Sequence, residues 1–173
     1  MKKGFTLIEL LISLVLFTAA TAIAIGGFVR ALRAQREASS IIAAQSDAGA
    51  ALEQMAREIR TGTSFCTPAS SCGSVCTAGS EPWNCSALEF TNVEGLPVTY
   101  AATSSYIGKD GMAITGQDAV IKYLRFIIFG TAPGGPWNPR ITILLGVTPN
   151  STDPAIRDSI IPLQTTVSAR PQT

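Results

Sequence analysis

Close to the N-terminus lies one apolar run, residues 5–29, reading Phe5-Thr6-Leu7-Ile8-Glu9-Leu10 at its start and Phe28-Val29 at its end. Of its 25 residues 18 are hydrophobic and one is charged. As a helix it would extend about 37 Å, more than the roughly 30 Å of a bilayer's hydrocarbon layer. A membrane span is the expectation that follows. Residues 62–173, by contrast, hold 46 hydrophobic residues in 112, an ordinary globular share. The 46% hydrophobicity of the 173-residue chain is therefore concentrated at one end, and the length suits one domain with an appendage. Two function classes drop out on composition. Histidine is absent, which excludes Ser-His and Cys-His dyads and any zinc site built on imidazole. A net charge of +1 supplies no basic field for nucleic acid, so none is indicated as a partner.

Glu9 is the anomaly in the run. A carboxylate at mid-membrane depth costs roughly 2.5–3.5 kcal/mol on insertion scales, and such residues are functional candidates with a partner. A bland alternative is a protonated or snorkelling acid, since Glu9 lies only four residues inside the run. The junction in front of it opposes that alternative. Cleavage between Gly4 and Phe5 would leave an ammonium on Phe5, with Glu9 in the first helical turn. The two charges could neutralise each other within one subunit or between neighbours, and the helix dipole favours an acid at that end. Lys2 and Lys3 precede the run and Arg30, Arg33 and Arg36 follow it, so flanking charge alone leaves the orientation open.

The segment Lys2-Lys3-Gly4-Phe5-Thr6-Leu7-Ile8-Glu9-Leu10 resembles the class III leader of type IV pilins and type II secretion pseudopilins. The resemblance implies that a prepilin peptidase cuts after Gly4 and methylates the new terminus on Phe5. It further implies that Glu9 recognises the terminus of an adjacent subunit during filament assembly. The partners it implies are other pilins or pseudopilins, an inner-membrane assembly platform, and membrane lipid before assembly. The expected location is the bacterial inner membrane, single pass, and then the pilus or pseudopilus. No catalytic residue, cofactor or metal site is expected. An ordinary secretory signal, cut at Ala20-Thr21-Ala22 or Ala22-Ile23-Ala24, is the competing expectation; it leaves Glu9 unexplained. An uncleaved anchor is a third.

Helical periodicity continues past Val29. Ile41, Ala48, Leu52, Met55 and Ile59 recur at spacings of seven, four, three and four, one face of a helix that could run from Phe5 to about Arg60. Residues 62–86 then read as a loop rich in Ser, Thr, Gly and Pro, and they contain all four cysteines, Cys66, Cys72, Cys76 and Cys85. Paired C-x2-C knuckles for zinc are absent, whereas an irregular loop gains from cross-links. Disulfides are expected, in any of three pairings. Oxidised cysteines place the loop outside the cytoplasm, with the leader inside.

Strand-like segments follow: Leu88–Thr91 and Pro97–Ala101 about a turn at Val93-Glu94-Gly95, a hairpin of Val120–Phe129 with Ile141–Val147, and a last strand over Ile160–Val167 with Pro162 marking a sheet edge. The expected organisation is a leader at 1–4, a membrane or filament-core helix at 5–29, an amphipathic helix at 30–61, a Cys-rich loop at 62–86 and an antiparallel sheet at 87–173. The fold class is α+β, a long N-terminal helix packed on an antiparallel sheet. That plan is pilin-like. Within it Leu52–Arg60, Tyr123–Phe126 and Leu163–Val167 look similar to J-type pseudopilins and W-type minor pilins.

Weaker signals remain. Asp110, Asp118, Asp153 and Asp158 lie in Gly- or Ser-rich stretches where calcium is conceivable, but the alternating acids of an EF-hand loop are missing and turn aspartates are the simpler expectation. Trp83 and Trp137 fall in loops and suit either a partner surface or a core cap. No placed acid, base or nucleophile selects an enzymatic role.

Overall fold

The computed structural model describes residues 6–65, 76, 82–130 and 138–170, and the chain divides into two units, Met1–Ser39 and Ser40–Thr173. Helix α1 covers Leu7–Thr61. Its start is set by Thr6, whose hydroxyl accepts the Glu9 N–H at 3.4 Å while its carbonyl accepts the Leu10 N–H at 3.2 Å. Thr6 is thus the N-cap and Glu9 the third helical residue, the T-x-x-E pattern of a capping box.

In the first unit the apolar side chains of α1 are uncovered. Leu7 is 77% exposed, Phe17 69% and Phe28 65%, and none of the most apolar 18-residue stretch is buried in the chain itself. The few hydroxyls in this stretch are satisfied within the helix: Ser13 donates to the Glu9 carbonyl at 2.6 Å, Thr18 to Val15 at 2.9 Å and Thr21 to Phe17 at 2.7 Å. No water is needed to complete them, which suits a hydrocarbon environment.

In the second unit the same helix buries a stripe, Ala44, Ala48, Ala51, Leu52, Met55 and Ile59. Ile41, expected on that stripe, stands at its edge, 36% exposed. After the helix come strands β1 (Trp83–Cys85), β2 (Ala87–Thr91), β3 (Pro97–Ala102), β4 (Ile107–Lys109), β5 (Met112–Ala113), β6 (Ala119–Phe129) and β7 (Arg140–Pro149), then the short helix α2 (Pro154–Arg157) and strand β8 (Ile161–Ser168). The expected antiparallel sheet is divided in two, with orders β1-β6-β7-β8 and β2-β3-β4-β5, and every pairing is antiparallel. Their inner faces share one core with α1, centred on Phe90, Tyr100, Phe126, Ile128, Ile143 and Leu145.

Two local devices make this core continuous. In β6 the register shifts between Ile121 and Tyr123, so that Lys122 and Tyr123 are both exposed. That extra residue resets the alternation, which lets Ala119 and Ile121 face inward on one side of the bulge and Leu124, Phe126 and Ile128 on the other. Across the bulge Tyr123 pairs with Gly146, and a side chain at 146 would collide with the Tyr123 ring. The second device is the Asp110-Gly111 turn between β4 and β5. Both residues have positive φ, 51° and 82°, which makes it the two-residue hairpin turn whose twist matches the strands.

Candidate functional site

The candidate site is the start of α1, because it combines an uncovered apolar helix with an acid that has no place in one. Glu9 is exposed and sits in the first turn, held there by the Thr6 cap. A backbone N–H that would otherwise be an orphan donor is thereby satisfied, and the carboxylate lies where the helix's positive end stabilises it. The signal for this cap, a threonine three residues ahead of a glutamate at the head of an apolar run, is written in the sequence, so Thr6 joins Glu9 as a residue that shapes the site. Gly4 and Phe5, the expected cleavage and methylation residues, lie outside the described residues.

Glu9, its N–H capped by Thr6, thus stands at the head of an apolar helix whose first half nothing among the described residues covers. Residues 1–25 match the prokaryotic N-terminal methylation motif. The segment is a class III prepilin leader, of the kind type IV pilins and pseudopilins carry. No curated protein and no solved structure matches the chain. Such a leader implies processing by a prepilin peptidase and assembly with other pilins, and with the apolar helix behind it the chain fits a pilin anchored in the inner membrane.

Behind the leader, Arg30, Arg33 and Arg36 are exposed within two turns of the end of the apolar run. Further along the helix, polar side chains tie α1 to the sheets. Glu58 pairs with Lys109 of β4 at 2.8 Å, each side chain about a quarter exposed at 26% and 28%. The Asp47 carboxylate accepts the Gly116 N–H at 2.7 Å. Tyr100 is fully buried beside Glu58, and burial first, then that carboxylate, raises its phenol above the usual range, so it stays protonated. These groups orient the helix on the sheets. They look like exposed polar positions in the sequence, where only their helical phase hints at a sheet partner.

Of the four cysteines, Cys76 and Cys85 form a disulfide, and Cys85 is wholly buried in β1. Cys66 and Cys72 lie outside the described residues, as does Trp137. Trp83 is half-buried against the core. Asp110 forms the hairpin turn and its carboxylate accepts the Thr99 N–H at 2.7 Å, while the Asp118 and Asp153 carbonyls accept N–H groups of Asn150 and Arg157. Among the described residues no three His, Cys, Asp or Glu side chains gather into a metal-binding group. A recess of about 610 Å³ lies over Tyr106, Thr115, Gln117 and Asn150, and no charged residue lines it.

Proposed function

We propose that this protein is a minor pilin or pseudopilin, a structural subunit that enters a type IV pilus or type II secretion pseudopilus through its N-terminal helix. The observation that carries the proposal is the capped Glu9 at the head of an uncovered apolar helix, inside a matched methylation motif. Prepilin peptidase removes residues 1–4 and methylates Phe5. Before assembly the helix lies in lipid as a single pass of the inner membrane, with the globular unit in the periplasm and Arg30, Arg33 and Arg36 at the headgroups. The disulfide supports that orientation, because such bonds persist in oxidising compartments.

Extraction from the bilayer would expose residues 5–29 to water unless neighbouring helices replace the lipid. The assembly platform delivers the subunit to such neighbours. Within their packed helices Glu9 meets the charged terminus on a neighbour's Phe5, and a low dielectric strengthens the attraction between them. Resemblance to J-type pseudopilins and W-type minor pilins supports a low-copy place near the filament tip.

Two measurements test the proposal. N-terminal sequencing of the mature protein is expected to give methylated Phe5, whereas a start near Ile23 or Ile25 means a secreted domain. The Glu9→Ala variant is expected to be cleaved normally yet reduced at least about tenfold in sheared filaments, the effect of losing one charge pair worth about 1.4 kcal/mol or more. Wild-type incorporation of that variant removes the pairing mechanism.

A further inference from the structure

Strand β6 is flanked unevenly. Strand β7 pairs with it from Ala119 to Phe129, whereas on its other side β1 reaches only Phe126, Ile127 and Ile128. Among the described residues no strand flanks residues 119–125 on that side, and two recesses open along this stretch. The larger, about 610 Å³, is lined by the β3–β4 turn, the segment leading into β6 and Asn150. The smaller, about 340 Å³, is lined by Ser86, the end of β3 and residues 121–125. Ser104 lines both.

Hydrogen bonds hold the walls of the larger recess in place. The Thr103 hydroxyl accepts the Ser105 and Tyr106 N–H groups at 3.3 and 3.2 Å, and the buried Thr115 hydroxyl accepts the Ile107 N–H at 3.0 Å. The Asn150 amide donates to the Gln117 carbonyl at 2.9 Å. Other polar groups on the walls are unspent. Among the described residues the Ser104, Ser105 and Tyr106 hydroxyls and the Gln117 side-chain amide have no hydrogen-bond partner, and Asn150 keeps its amide oxygen. Hydroxyls and amides both donate and accept. With no charged residue in this recess, its complement is a neutral ring bearing several hydroxyls, whose C–H face can lie on the half-buried Tyr106 ring.

The smaller recess adds charge of one sign. Lys122 and Arg125 line it, no acid does, and neither cation forms an ion pair among the described residues. The β6 bulge puts both of them there. Strict alternation from the inward Ile121 would send Tyr123 and Arg125 into the core, but the slip after Ile121 turns Arg125 outward together with Lys122. We propose that the two recesses form one binding site for an acidic oligosaccharide. A neutral sugar ring occupies the larger recess, and a carboxylate, sulfate or phosphate on the same molecule meets Lys122 and Arg125. This site goes beyond the role as a filament subunit and does not depend on it.

The test uses the full-length chain in lauryldimethylamine oxide, a detergent without a sugar headgroup, applied to an array of oligosaccharides. Members bearing uronate, sulfate or phosphate groups stand beside their uncharged counterparts. At least one acidic member is expected to bind at least about tenfold more tightly than its counterpart. Lys122→Gln combined with Arg125→Gln is expected to erase that preference, and Ser104→Trp, which fills the shared wall, to abolish binding to either. All three positions are exposed, so these variants are expected to keep the wild-type melting temperature and to enter filaments normally. Failure of every acidic member to bind, or wild-type binding by these variants, overturns the site and leaves the subunit role standing. Competition by inorganic phosphate or tri-glutamate that matches the oligosaccharide means that charge alone is read, which overturns it too. Equal loss in Arg30→Gln combined with Arg33→Gln moves the ligand to α1 and overturns the recesses as its site.

Discussion

Helix α1 holds two regions of nearly opposite design. Residues 7–29 expose leucine, isoleucine and phenylalanine on every side, and nothing among the described residues covers them. Residues 44–59 bury one narrow stripe, half of it alanine, and turn Gln45, Glu53 and Arg57 to solvent. The first region is the more hydrophobic, yet it contributes nothing to the internal core. Apolar area stabilises a fold only where the chain removes it from water, and elsewhere it specifies the environment the chain must find.

The sharpest way to break this comparison is a matched substitution. Phe126→Ala, at a wholly buried side chain, is expected to destabilise the globular unit by about 3–5 kcal/mol. Phe17→Ala, at a side chain 69% exposed, is expected to change it by less than about 0.5 kcal/mol. Denaturant unfolding of both variants in detergent, followed by the globular unit's near-ultraviolet signal, decides the matter. Equal losses would mean that the two regions share one core.

A smaller effect is expected from the disulfide, which fastens β1 where the sequence between the helix and the sheets is least regular. Replacing both Cys76 and Cys85 by serine closes no loop in the unfolded chain, and stability is expected to fall by about 2–4 kcal/mol. The same unfolding assay reads it, and filament incorporation through the N-terminal helix should survive wherever the unit still folds.

The smallest effect concerns the polar ties between α1 and the sheets. Tyr100 binds its proton more tightly folded than unfolded, so stability is fully retained below the ordinary tyrosine range near pH 10 and falls above it, by up to about 1.4 kcal/mol per pH unit. Tyr100→Phe should remove that part of the slope in melting temperature between about pH 10 and 11. An unchanged slope would show that the phenol titrates alike in both states.

Legibility in the sequence followed element length. The 3.6-residue stripe of α1 and the alternation of β6 and β7 are long enough to show a period, and they stand where that period put them. The β2–β3 hairpin was legible from its turn. Strands β1, β4 and β5 were not, because two or three residues carry no alternation, and β1 lies inside a segment whose composition reads as loop. The β6 bulge was hidden for the same reason: Lys122-Tyr123 is a local slip that only the facing Gly146 explains.

By itself the sequence determined the prepilin leader and the uncovered helix behind it, since both are properties of contiguous residues: an acid in the first turn, a run long enough to span, and a methylation motif confined to residues 1–25. The tertiary structure alone decided which residues the rest of the chain would bring together. Division into two sheets, the choice of Cys76 for Cys85 and the pairing of Glu58 with Lys109 all join positions brought together only by the fold, and no local pattern encodes a partner that only packing selects.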